Sequence, residues 1–412
     1  MTTRSPTDRP EPPNQAQAFA LLDALRAVPS PLTTSQQAEA FDDLTRHLND
    51  VLKGRFGEAI CDRAWDQLLR VVTRTYDAGK AERFTEAIMF ALDVLSNSTS
   101  DAAVACIVRL GKANFSADHL YWLGALSAFG KGHQKANALF KALAKPLPEK
   151  FLAIALLEAA NSAGRAGVLK SHPFNSPAGV RRLEAYLTSR SAYMINDAMS
   201  ACGAIRFVAG PARKRLFGLA ITHPKMLVRM EAASAGAQAG DASTKAAAVD
   251  ILIERCLHRT TSVRAREYLE ELGLRTRIPA EAMEPEFAAV ASLFDHLSVG
   301  GAGRSPTNVK LIDHRIIYWP PTNDTRPVWL LRFTHRIGGR RVQPIHSVGM
   351  VGSMTWSFMD EIRPSMKPEH IYGLHCCLEL EMNGDKRAPA KGSGKAGWAL
   401  ITAGPKARRR SR

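Results

Sequence analysis

Pro224-Lys-Met-Leu-Val-Arg-Met-Glu-Ala-Ala-Ser-Ala-Gly-Ala-Gln-Ala-Gly-Asp241 is the stretch whose reading decides the fold of this chain. It opens on proline, closes on glycine, and carries small residues between them. Proline suits a helix start, because the N–H it lacks has no intrahelical partner there, and glycine supplies a left-handed C-terminal turn. The stretch from Pro148 through Leu152, Leu156, Leu157, Ala159 and Ala160 to Gly164 follows the same plan, with glycine again sixteen residues after proline. The two prolines lie 76 residues apart, or two units of 38. Val228-Arg229 recurs as Val263-Arg264, 35 residues on. Between these pairs Ala246, Val249, Ile253, Cys256 and Leu257 line one face of another helix. Residues 224–273 therefore read as helix, partner helix, and the first helix of the next pair.

Upstream the same periodicity continues. Phe41, Leu44, Leu48, Val51 and Leu52 share one helical face, with Thr34 or Ser35 to cap it. Trp65, Leu68, Leu69 and Val72 form a second stripe, and Phe84, Ile88, Ala91, Leu92 and Leu95 a third. Ser100 and Asp101 offer an N-cap for the next helix. Further helices are expected at 117–129, 133–144, 149–163, 178–188, 192–205, 212–221, 225–239, 243–258 and 261–272.

On these residues the chain resembles the HEAT-repeat family. Pro224, Val228, Arg229, Ala232, Ala233, Gly240 and Asp241 match the early proline, Val-Arg pair, alanine pair and closing Gly-Asp of the first HEAT helix. Val263 and Arg264 begin a weaker copy that lacks the proline and the alanine pair. The likeness covers 224–273 and extends loosely back to about 148. It implies a stack of helix pairs whose extended surface binds another macromolecule, with Arg229 and Arg264 as polar links between repeats. Some HEAT-like proteins are alkylpurine DNA glycosylases, so a repair role is a rival implication.

After the helix expected at 285–297, Val299-Gly-Gly-Ala-Gly-Arg-Ser-Pro306 reads as a domain joint, and the period changes to two. Ile312, His314, Ile316 and Tyr318 alternate with Leu311, Asp313, Arg315 and Ile317. Residues 320–324 form a turn, and 328–334 a second strand. A third strand is expected at 354–358. Leu374, Cys376, Leu378, Leu380 and Met382 alternate with His375, Cys377, Glu379 and Glu381 as a further strand with one buried face, and 397–402 pairs back. The expectation is an α+β chain: a disordered lead-in at 1–14, a helical HEAT-like solenoid at 15–298, a small, mainly antiparallel, basic β domain at 299–404, and a basic tail at 405–412.

Composition bounds the function. With 45% hydrophobic and 23% charged residues the chain has material for sizeable cores. No apolar run reaches the length of a membrane span, and the first residues have no signal-peptide character, so a cytoplasmic location is expected. Six scattered cysteines without a CxxC pair read as reduced core residues. The net charge of +16 is uneven: residues 299–412 hold 19 Lys and Arg against 8 Asp and Glu, residues 1–298 hold 36 against 31. That asymmetry points to an acidic partner for the C-terminal part.

Candidate chemistry is sparse. Gly392-Ser-Gly394-Lys395-Ala396 lacks the first glycine and the Ser/Thr of a phosphate loop, and Gly300-Gly301-Ala-Gly303 follows a helix, so no cofactor is implied. His375 and Cys377, on one face of the expected strand, are the weak candidates for a metal or catalytic site. Arg332, Arg336, Arg340, Arg341, Lys386, Arg387, Arg408, Arg409 and Arg410, with Trp319, Trp329, Trp356 and Trp398, are the candidates for nucleic-acid or anion contact. The expected function is a non-enzymatic scaffold for a protein partner. Its rivals are a nucleic-acid binder and an enzyme centred on His375 and Cys377.

Overall fold

A computed structural model describes residues 15–52, 58–189, 195–299, 306–335, 345–351, 365–389 and 393–405. The chain divides into two compact units, Met1–Ala239 and Gly240–Arg412. The division falls between the two helices that the repeat resemblance pairs.

In the first unit the described residues form twelve α-helices. The odd-numbered ones are α1 (Gln15–Ala27), α3 (Glu58–Asp77), α5 (Asp101–Lys112), α7 (Ala136–Leu143), α9 (Pro177–Thr188) and α11 (Gly210–Ile221). The even-numbered ones are α2 (Ser35–Leu52), α4 (Thr85–Leu95), α6 (His119–Gly130), α8 (Lys150–Arg165), α10 (Ile195–Ala204) and α12 (Met226–Ala239). Odd helices start 33 to 43 residues apart. Local chemistry sets the boundaries. Thr34 and Gln37 form a reciprocal capping box: Thr34 Oγ1 accepts from Gln37 N at 3.3 Å and Gln37 Oε1 accepts from Thr34 N at 3.2 Å. Ser100, Asp118 and Ser176 accept from the first-turn amides of α5, α6 and α9. Pro148 and Pro224 both stand two residues ahead of the first helical residue, just outside α8 and α12. Gly164 is not a turn glycine: a Cβ there would lie 2.6 Å from the Phe207 ring, so the residue is small to let Phe207 approach.

The even helices pack in succession, α2 on α4 on α6 on α8 on α10 on α12. The odd helices pack likewise, α1 on α3 on α5 on α7, and α9 on α11. Among the described residues the extensive packing runs only between neighbours, which makes two layers of stacked pairs rather than a closed bundle. One continuous core from Leu22 to Ala235 fills the space between the layers. No single amphipathic helix of this kind can hide its apolar face alone; each does so against the helices before and after it.

The second unit begins with α13 (Ala242–Cys256), α14 (Ser262–Glu271), the single turn α15 (Ala280–Met283) and α16 (Pro285–Val299). Asp241 caps α13 through Thr244 N at 2.8 Å, and Gly273, at φ +72°, closes α14 as a left-handed cap. Strands β1 (Thr307–Trp319), β2 (Asp324–His335) and β3 (Ile345–Val351) form an antiparallel sheet in that order. Helices α17 (Pro368–Met382) and α18 (Gly394–Ala403) follow. Val328 and Leu330 of β2 join Trp319, Ile371, Tyr372, Cys376, Leu380 and Ile401 on one face of the sheet. Leu331 and Phe333 join Val290, Leu293 and Leu297 of α16 on the other. In β1 a register shift between Leu311 and Asp313 changes the facing: Val309 and Leu311 pack toward α16, while Ile312, Ile317 and Trp319 pack toward α17 and α18.

Two expected strands are helices. Residues 374–382 lie in α17, where His370, Leu374, Leu378 and Glu381 form the more exposed stripe, spaced three to four apart, while His375, Cys376, Cys377, Glu379 and Leu380 are buried. His375 and Glu379 face inward while Leu374 and Leu378 lie on the more exposed stripe, so the sequence alternates as a strand would. Residues 397–402 lie in α18, capped by Ser393 through Ala396 N at 3.1 Å. The strand expected at 354–358 lies outside the described residues; β3 precedes it. The described C-terminal region therefore has less strand than its sequence suggests, with helices on both faces of the sheet.

Candidate interaction surfaces

The even helices of the first unit carry both polar links and exposed apolar side chains. His119, the first residue of α6, has Nε2 3.0 Å from Glu158 Oε2 on α8, and Ser200 Oγ on α10 donates to Glu158 Oε1 at 2.9 Å. The hydrogen bond to Glu158 raises the His119 pKa. Burial alone would raise the Glu158 carboxyl; the hydrogen bonds from His119 and Ser200 outweigh it and hold the group below its ordinary value. The hydroxyl meets the carboxylate, not the imidazole, so this is not the hydroxyl–imidazole–carboxylate order that activates a serine. It is a clasp across three helices. Nearby, Leu120 is 73% exposed, Phe151 54% and Leu227 36%. Each is the second residue of its helix, α6, α8 and α12 respectively.

The odd helices are joined differently. Arg109 of α5 pairs with Asp77 of α3 at 2.5 Å, and Lys135 with Asp101 of α5 at 2.7 Å. Arg182 of α9 pairs with Glu149 at 2.8 Å, and Arg215 of α11 with Glu184 of α9. Asn137 donates to Val168 O at 2.7 Å and accepts from Lys170 N at 2.9 Å, and Asn175 accepts from Ala209 N at 3.1 Å. Sequence reasoning expected Arg229 in such a role. Its Nη1 instead donates to His223 O at 2.7 Å and Pro224 O at 3.2 Å, tying down the entry to its own helix. The linking residues carry a faint signal: their partners lie 31 to 34 residues away.

In the second unit a groove of about 550 Å³ opens between α15–α16 and the sheet. Glu281, Glu284 and Glu286 stand around it with one guanidinium, that of Arg259, and Phe287, His314 and Trp329 form its aromatic lining. His314 and Trp329, opposite each other in the β1–β2 ladder, stack with centroids 4.7 Å apart and planes 5° from parallel. Carboxylates beside a flat aromatic pair suit a cationic group.

The candidate residues of the C-terminal region do not assemble into one site. Arg332 is exposed on β2 and Lys386 is exposed beyond α17. Arg387 is engaged by Asp385 at 2.6 Å and donates to Pro320 O at 2.8 Å, fastening the α17 exit to the β1–β2 turn. Arg336, Arg340, Arg341, Arg408, Arg409 and Arg410, with Trp356, lie outside the described residues. Trp319 is core, and Trp398 sits with Tyr372 around the Arg315 guanidinium, which pairs with Asp313 at 2.6 Å and Glu369 at 2.5 Å.

His375 and Cys377, expected to share a strand face, lie two residues apart on a helix, about 200° around its axis. Burial holds the His375 pKa down at about 4 and pushes the Cys376 thiol up to about 12. Cys377 Sγ donates to Ser393 O at 3.4 Å. Among the described residues no three His, Cys, Asp or Glu side chains come together as metal ligands, and no helix is long and apolar enough to cross a membrane. No family model matches the chain, and no curated protein matches it.

Proposed function

We propose that this chain is a non-enzymatic binding scaffold of HEAT-like type, and that the even-helix layer of its first unit receives a protein partner. The observation that carries the reading is the placement of Leu120, Phe151 and Leu227: large apolar side chains, exposed, at the same position of three helices in one layer. Apolar side chains flanked by polar groups are the usual make-up of a protein-binding patch. The clasp of His119, Glu158 and Ser200 holds α6, α8 and α10 in fixed relation, and the first two of these carry Leu120 and Phe151. In the second unit the groove around Trp329 supplies a site for a cationic side chain as a further contact.

The test is capture of partners from native lysate by the full chain and by the variant Leu120→Asp, Phe151→Asp, Leu227→Asp. The exposed substitutions leave the fold intact, and the variant loses a partner that the parent retains. Equal capture by both refutes the assignment to this layer.

A further inference from the structure

The charge of the helical stack is sharply partitioned. Residues 1–130 hold 13 Lys and Arg against 16 Asp and Glu, whereas residues 131–239 hold 16 against 5. Averaging over the whole helical region conceals this change of sign. It coincides with the start of the fourth helix pair. From there Lys141, Arg181 and Lys214 are exposed in the second turn of α7, α9 and α11, three successive odd helices. Lys131, Lys145 and Lys170 are exposed in the adjoining loops. Among the described residues none of these six pairs with a carboxylate. The acids that share the layer are already taken: Glu149 by Arg182, and Glu184 by Arg215.

We infer that the odd-helix face of α7, α9 and α11 binds the phosphate backbone of double-stranded nucleic acid. Packed helices lie ~10 Å apart, so Arg181 and Lys214 stand on neighbouring members of the odd layer, α9 on α11, and Lys141 stands in the same turn of α7, the odd helix before them in the chain. A duplex presents a negative charge every ~1.7 Å along its axis, so cations spread over one helix layer meet several of them without a sequence-specific contact. A protein partner would need apolar anchors, and among the described residues α7, α9 and α11 expose no large hydrophobic side chain. A single strand would need aromatic faces for its bases, yet Phe140 and Tyr186 are buried and the half-buried Phe217 packs against the core. The opposite layer, with Leu120, Phe151 and Leu227, has the reverse chemistry, so this face is independent of the proposed protein site.

The test uses the full chain and a fluorescent duplex DNA of arbitrary sequence, titrated by anisotropy over a range of salt. The variant Lys141→Gln, Arg181→Gln, Lys214→Gln should bind about tenfold more weakly near physiological salt, with the salt slope reduced by about 3. Lys141→Glu, Arg181→Glu, Lys214→Glu should weaken it further, with helix content unchanged by circular dichroism. The same relative loss should persist when both parent and variant lack residues 406–412, which separates this face from the arginine-rich tail. The inference is overturned if the Gln variant binds like the parent, if the parent shows no salt-dependent binding, or if polyglutamate displaces the duplex as well as unlabelled duplex does. The last outcome would assign the face to an acidic protein.

Discussion

The indole Nε1 of Trp319 donates to Glu379 Oε2 at 2.9 Å, with Trp319 fully buried and Glu379 only 8% exposed. The bond joins the end of β1 to the last turn of α17 across sixty residues of sequence. A buried carboxylate that loses one of its donors gives up more than the net worth of an exposed hydrogen bond. Trp319→Phe should therefore destabilise the second unit by about 2–4 kcal/mol, from the lost donor together with lost packing. Glu379→Gln, which keeps an acceptor, should cost clearly less. Chemical denaturation monitored on the second unit distinguishes them, and equal losses would argue against the bond.

Helices α17 and α18 touch through their backbones. A Cβ on Gly397 would fall 1.9 Å from Gly373 O, and one on Gly373 would fall 1.8 Å from Gly394 O. Backbone cannot swing aside as a side chain can, so the helices must part. Gly397→Ala is expected to cost about 1–3 kcal/mol or more, whereas Gly384→Ala, in an open turn at φ +63°, disturbs only local backbone. Thermal unfolding of the two variants gives the comparison.

Acid should weaken the two units through different histidines. Burial, with Arg206 nearby, holds His172 at about 3, and burial holds His375 at about 4, both below the ordinary 6.5. Between pH 6.5 and these values the unfolded chain binds a proton that the folded chain refuses, so stability falls as pH falls, by about 5 kcal/mol for His172 and about 3 kcal/mol for His375. His119 has the opposite sign. Its pKa is raised by Glu158, so its contribution is complete below 6.5 and fades as pH rises past the folded value. His172→Phe keeps a ring against Phe207, on which His172 stacks at 5.2 Å, and removes the titration. Its stability should vary less between pH 6.5 and 4 than that of the parent; an unaltered profile would rule His172 out as a source.

The links between helix pairs should differ in worth. Arg215 and Glu184 form an ion pair whose guanidinium side chain is 60% exposed, and Arg215→Ala should cost no more than about 0.5 kcal/mol. Asn137 satisfies two backbone groups at once, the partly buried Val168 O and the exposed Lys170 N, so Asn137→Ala should cost about 1 kcal/mol. Urea melts of the two variants rank them.

Much of the helical architecture was legible. The expected helix at 225–239 is Met226–Ala239, that at 212–221 is Gly210–Ile221, and that at 178–188 is Pro177–Thr188. Pro177–Thr188 carries an apolar period of 3.6, whereas Met226–Ala239, buried nearly all round, is marked by the proline before it and the glycine after it; both kinds of signal are local. α17 was misread because Leu374 and Leu378 lie on its more exposed stripe while His375 and Glu379 lie inside, an arrangement fixed only by what packs on either side. The groove was invisible because His314 and Trp329 meet through strand pairing, and Glu281, Glu284 and Glu286 lie on separate elements from both. Arg182 and Glu149, or Asn175 and Ala209, are partners only once consecutive pairs are laid against each other. Arg229 had the expected residue type, but its reach is spent within its own loop.

Because each helix pair of the first unit rests only on its immediate neighbours, its surroundings do not depend on how many pairs the stack contains. A duplication in the middle would present new side chains with surfaces already shaped for them, and the rows on either layer would lengthen by one step without rebuilding the rest. The reach of such a protein can thus be adjusted in whole increments, as a ladder is extended by rungs, while the chemistry of each rung is left to change on its own.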